Sequence, residues 1–162
     1  MDQQRQAEME RLCKLAEQDS AADRAQLFGE LSQIFIDSDK ALASKERQLM
    51  TDVLGTLIHD IEMEIRQDLA QRLANLPTAP RELAVMLAND EVDVARPLLI
   101  KSGVLSDPDL VEIIEQRTKE HRLAIALQKP LGEHVTDALL DQDEPDVIEE
   151  LLNNQDAVLS QK

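Results

Sequence analysis

Three histidines, one cysteine and two acid pairs are the side chains of this sequence whose types and spacing suit chemistry. His59, His121 and His134 would have to converge to hold a metal or to pass a proton. None has a glutamate three residues before it, the spacing with which helical di-metal sites present ligands, and no HExxH occurs. His59 and Glu62 stand one helical turn apart, which makes a pair and not a constellation. The expectation is three polar histidines on helix surfaces, with no catalytic residue and no metal ligand assigned. Asp37-Ser38-Asp39 and Asp141-Gln142-Asp143 each share the opening of a calcium loop. The first continues with Ala41 and Leu42 where an acid and the turn glycine belong. The second continues with Pro145 and Asp146, and has Leu152 in place of the bidentate acid. Both read as caps and linkers. Cys13 falls on one helical face with Met9, Leu12 and Ala16, so it is expected to pack as a small hydrophobe. Gly103 and Gly132 are isolated and build no phosphate cradle; no cofactor is assigned.

Charge is the uneven feature. The chain carries 33 acidic and 17 basic residues, a formal charge of −16. Such a field repels phosphate backbones and anionic membrane surfaces, so neither nucleic acid nor membrane is expected as a partner. Phe28 and Phe35 are the only aromatics, too few for stacking platforms. Between Arg96 and Lys129 six basic residues face five acids, whereas Pro130 to Gln161 contains nine acids and no Lys or Arg. Solvated helix faces account for most such patterns. If a protein partner docks by charge, Arg117, Lys119, His121 and Arg122 are the residues chosen for it, because they gather at one turn.

Helices must position these groups. With 43% apolar residues, 1% aromatics and 4 glycines, the core has to be Leu, Ile, Val, Ala and Met packed between helices. Cys13 is the sole cysteine, so no intramolecular disulfide forms; no apolar run reaches the ~20 residues of a membrane span. The polar N-terminus has no signal-peptide pattern. A cytoplasmic location is expected.

Residues 4 to 18 read as a first helix and Ser20 caps a second, whose stripe is Leu27, Phe28, Leu31, Ile34 and Phe35. From Ser44 to Leu76 the apolar spacing of three and four runs without proline through Leu49, Met50, Val53, Leu54, Leu57, Ile58, Ile61, Ile65, Leu69 and Leu73. That pattern suggests one long central helix of ~45 Å. Pro77 and Pro80 then force a turn before a short helix at Arg81 to Ala88.

Beyond Asp90 three copies of a helical pair are expected. The anchors Val94, Leu123 and Val147 are 29 and 24 residues apart, and Leu110, Val135 and Leu159 are 25 and 24 apart. Residues 64 to 89 read as a divergent first unit. Ser106-Asp107-Pro108-Asp109 is a strong helix start, and Asp143-Glu144-Pro145-Asp146 repeats its logic. Pro97 should orphan the carbonyl of Asp93 and kink its helix. The last unit stops in its second helix, at Gln155 to Leu159, so a longer native chain or a covering surface is expected there.

The run Leu87 to Leu99, with Ser102, Leu105-Ser106-Asp107 and Asp109-Leu110, resembles the signature of a bacterial family, domain of unknown function 2336. Ser44-Lys45-Glu46-Arg47 with Ile58 to Glu62, Glu120 to Ala126, and Asp137 to Leu140 are similar to it as well, so the likeness spans roughly residues 20 to 155. The resemblance implies an alphaproteobacterial source and degenerate HEAT-like or leucine-rich-variant repeats, and it assigns no site residue. The expected fold is all-α: N-terminal helices and a long central helix leading into a short right-handed α-solenoid of HEAT-like helical pairs. Residues 1–62 would form the cap and 63–162 the repeats. The expected function is a non-enzymatic protein–protein interaction module, regulatory or scaffolding, with an unknown protein partner. The competing readings are a structural protein that self-assembles into a homo-oligomer through the solenoid end, and a small-ligand sensor or enzyme.

Overall fold

A computed structural model describes residues 20–38 and 41–154, together with Gln3, Ala7, Glu10 and Arg11. Those four N-terminal residues are helical; the packing expected of Met9, Leu12, Cys13 and Ala16, and the helix expected from Gln155 to Leu159, lie outside the described residues. The described residues are helical throughout, with turns between helices, and none of the helices is long and apolar enough to cross a membrane. The chain divides into two compact units, Met1–Arg66 and Gln67–Lys162.

In the first unit, α1 (Ala21–Ser38) starts where the Ser20 hydroxyl accepts the Asp23 N–H at 3.0 Å and donates to the Asp23 carboxylate at 2.6 Å. Ser20 is thus the cap expected, and the Asp23 carboxylate meets its hydroxyl. Leu27, Phe28, Leu31 and Phe35 are buried along one face. Ile34, also placed in that stripe, is half-buried. α2 (Ser44–Leu57) packs on α1 through Met50 and Leu54, and the Arg47 guanidinium sits 5.3 Å from the centroid of the Phe35 ring.

The long central helix is not formed. After α2 the chain makes one 3-10 turn, Ile58–Asp60, then Ile61 is extended at φ −95°, ψ 135°, and α3 (Met63–Ala74) begins anew. The break needs no proline. His59 and Asp60 are weak helix formers, and burial of both Ile58 and Ile61 turns the chain inward. The freed polar groups are satisfied locally. Ile65 N–H goes to Glu62 O, while Arg66 Nη1 donates to the carbonyl of Ile61 at 2.6 Å. Leu49, expected within the apolar band, is 54% exposed.

The second unit contains α4 (Arg81–Ala88), α5 (Val92–Lys101), α6 (Asp107–Gln116), α7 (Lys119–Ala126), α8 (Glu133–Asp141) and α9 (Pro145–Asn153). α5 packs on α7 and α7 on α9, forming one row; α6 packs on α8 in a second. α6, α7, α8 and α9 also pack each on the next in sequence, and α4 packs on α5. The core between them is aliphatic: Leu83, Leu87, Leu98, Leu99, Ile113, Ile114, Ile125 and Leu139 are fully buried. Each such side chain is worth ~2 kcal/mol of transfer from water.

The first-row helices share a register different from the one expected. Val94, His121 and Val147 each occupy the third position of their helix and each is buried. Leu123, the expected anchor, is only half-buried. Pro97 lies inside α5 without ending it, and the Gln67 side-chain amide reaches the Asp93 carbonyl that proline leaves unpaired, at 3.5 Å. The two proline-containing helix starts diverge. Ser106 caps α6 with a full capping box, whereas Glu144 at the start of α9 makes no side-chain cap and Asp143 takes φ 54°.

Candidate binding surfaces

Side chains tie segments of the second unit to one another across 22 to 31 residues. Arg81 clamps Asp109 over 28 residues; Arg117 Nε donates to Asn89 Oδ1 over 28, at 3.1 Å. Lys119 Nζ reaches Asp146 over 27, at 2.9 Å, and Asn154 Nδ2 reaches the Ala126 carbonyl over 28, also at 2.9 Å. Two further bonds join the same helices. His121 Nε2 donates to Asp90 O at 2.7 Å, and Arg122 Nη2 donates to Glu144 Oε2 at 2.9 Å.

The four residues chosen for partner docking do come together where α6 turns into α7, but their polar atoms are engaged within the fold. Arg122 is 13% exposed in its side chain; Nη1 donates to the Ile114 carbonyl at 2.9 Å and to the Arg117 carbonyl at 2.7 Å. Its bond to Glu144 holds that carboxyl below the usual glutamate range, against a smaller opposing effect of burial. His121 is 3% exposed, which overturns its expected place on a helix surface; His59 and His134 are exposed as expected. Arg117 and Lys119 remain open to solvent, each with its partner on a neighbouring helix. Asp109 is buried beside Arg81. Burial alone would raise its carboxyl, but the Ser106 N–H, the guanidinium and the Ser106 hydroxyl outweigh that and hold it below the usual aspartate range.

A second surface lies between α6 and α8. A groove of about 470 Å³ is lined by Pro108, Val111 and Ala138 as its apolar part, with Asp107, Glu115, Asp137 and Asp141 around them and His134 and Gln142 beside. At one end the backbone comes close: a Cβ added to Gly132 would stand 2.9 Å from Asp107 Oδ2. Neither α6 nor α8 contains a Lys or Arg. The four groove carboxylates have no hydrogen bond or ion pair among the described residues, in contrast to Asp109, Glu144 and Asp146. Among the described residues no three His, Cys, Asp or Glu side chains come close enough to hold a metal ion together. The Lys- and Arg-free stretch after Pro130 marks one wall of this groove in the sequence. Nothing comparable marks Asp107 and Glu115 on the other wall, because α6 follows a basic stretch and the pairing of α6 with α8 is a tertiary fact.

No curated protein and no solved structure matches the chain. A family model does match, over residues 94–162 and not the 20 to 155 that the resemblance suggested, leaving outside it Ser44 to Arg47, Ile58 to Glu62 and Leu87 to Asp93. It describes an uncharacterised protein conserved in bacteria (DUF2336), and through residues 94–162 this chain is similar to that family.

Proposed function

We propose that this chain is a non-enzymatic protein-interaction module of a bacterial regulatory or scaffold protein, acting in the cytoplasm. In this reading the second unit is a short right-handed α-solenoid of HEAT-like helical pairs. The observation that supports it is the packing of α5 on α7 and α7 on α9, with α6 on α8 beside them. Stacked repeats of this kind bury their apolar faces on one another and offer the remaining surface to partners. Affinity purification of the chain from bacterial extract, with cross-linking and identification of what is retained, tests the reading. A specific, saturable protein partner supports it. Turnover of a small molecule by the purified chain, with no protein retained, overturns it.

Self-assembly is the second reading, and one observation favours it. Leu152 on α9 is 72% exposed, the largest exposure of a big apolar side chain among the described residues, at the last described helix of the first row. Light scattering over a wide concentration range decides it. A strict monomer excludes self-assembly.

A further inference from the structure

We infer that the groove between α6 and α8 binds a short basic segment of a partner protein, an extended stretch in which Lys or Arg alternates with apolar residues. The inference rests on the interaction-module reading and adds the chemistry of the partner.

The argument is one of complementarity. Three acids of the second unit have a cation from another segment: Asp146 has Lys119, Glu144 has Arg122, and the buried Asp109 has Arg81. Asp107, Glu115, Asp137 and Asp141 have none, and their two helices contain no cation that could swing in. Four carboxylates line one depression that no Lys or Arg lines, so the local field favours an incoming cation. The depression is not merely acidic. Pro108, half-buried Val111 and half-buried Ala138 give it an apolar floor on which the methylene stem of Lys or Arg can lie while its head meets a carboxylate. That combination selects a cationic side chain on a peptide over a small inorganic cation, which would gain nothing from the floor.

The dimensions set the length of the segment. From Asp107 to Glu115 the groove wall runs ~12 Å along α6, which an extended chain covers in about four residues. Alternate residues of such a chain point to one side, so two cationic side chains enter the groove together. His134 lines the groove with Asp137 and Asp141 on the α8 wall and supplies an imidazole on whose face a guanidinium can stack.

The test is fluorescence anisotropy with a fluorescein-labelled peptide of alternating Lys and Leu, and its Glu–Leu counterpart as the negative probe. The double variant Asp137→Lys/Asp141→Lys reverses one groove wall. Asp68→Lys/Glu149→Lys makes the same change in net charge at exposed positions away from the groove. Circular dichroism establishes that each variant is folded. The expected result is saturable binding of the Lys–Leu peptide only, weakened about ten-fold or more by the groove variant and less than about three-fold by the control. Backbone amide shifts should concentrate at Val111, His134 and Ala138. Equal weakening by both variants would mean that only the field of the whole acidic chain attracts the peptide, and it overturns the inference; so does the absence of binding by the unmodified chain. If a protein partner recovered from extract is held equally by the groove variant, the groove inference falls while the interaction reading stands. If no protein partner is recovered, the reading itself falls.

Discussion

His121 Nε2 lies 2.7 Å from the main-chain oxygen of Asp90, thirty-one residues earlier in the chain. A carbonyl can only accept, so the ring hydrogen is on Nε2. The Thr118 hydroxyl accepts the His121 N–H at 3.3 Å and has its own hydrogen left for Nδ1, 2.8 Å away. Every polar atom of a buried imidazole is thereby satisfied. The ring fills the position that Val94 and Val147 fill in the neighbouring helices and adds a tie to the turn before α5.

Replacing His121 therefore separates volume from hydrogen bonding. His121→Ala should cost about 2–4 kcal/mol through a cavity and two lost bonds. His121→Val restores an aliphatic side chain of the neighbouring type but leaves the Asp90 carbonyl unpaired, and should cost about 1–2 kcal/mol. Urea unfolding followed by circular dichroism gives both values. Equal losses would mean that the bond to Asp90 dominates and packing contributes nothing.

Arg122 is expected to be among the most sensitive basic residues of the second unit. Its guanidinium serves two carbonyls and the Glu144 carboxylate at once, a fork that a lysine ammonium cannot reproduce. Arg122→Lys and Arg122→Ala should both destabilise by about 2–3 kcal/mol, while Lys119→Ala, whose partner bond is exposed, should melt close to the unmodified chain. Thermal melts of the three variants check the order.

Acid should loosen the second unit through Asp109 and Glu144. Both carboxyls titrate below their ordinary values when folded, so the unfolded chain binds protons first as pH falls. Their contribution is complete above the unfolded values near 3.8 and 4.5 and is lost as pH drops through the lower folded ones. Melting temperature measured across that range should fall, and the fall should be shallower in Asp109→Asn, which cannot titrate. An unchanged slope in that variant would remove Asp109 from the account.

Asn154 is 8% exposed and donates from one amide nitrogen to the carbonyls of Ala126 and Gln128, at 2.9 and 2.8 Å, where α7 ends. Asn154→Ala strips both acceptors and should cost about 1–3 kcal/mol. Asn154→Asp should be as damaging, because it offers carboxylate oxygens to carbonyls that need a donor. Hydrogen exchange should show the loss concentrated at the end of α7.

Two helices of the second unit were legible because their starts are written in short-range chemistry: Ser106 with Pro108 and Asp109 for α6, and Pro145 as the first residue of α9. What periodicity misread was register. Leu123 looked like the anchor of α7 because it is apolar, yet the buried position two residues earlier belongs to His121, whose polarity is answered by Thr118 and Asp90. The same blindness extended Ser44 to Leu76 into one helix. Apolar spacing continues across Ile58 and Ile61, and the break lies in the backbone, where Ile61 is extended and Arg66 takes its carbonyl. At the α6–α7 turn a basic cluster was visible, but its use within the fold depended on partners such as Glu144 and Asn89, twenty-two and twenty-eight residues away. The groove depended on a helix pairing of the same range.

The side-chain ties also hold the helical register of the second unit. Each joins two residues that face one another in space, so a residue added to a turn can bulge outward and leave them in place. A residue added inside a helix instead rotates every side chain beyond it by about 100° and turns its tie away from the partner. Change in this part of the chain is therefore easier to accommodate in turns than within helices, whose rotation is held by polar side chains as much as by the core.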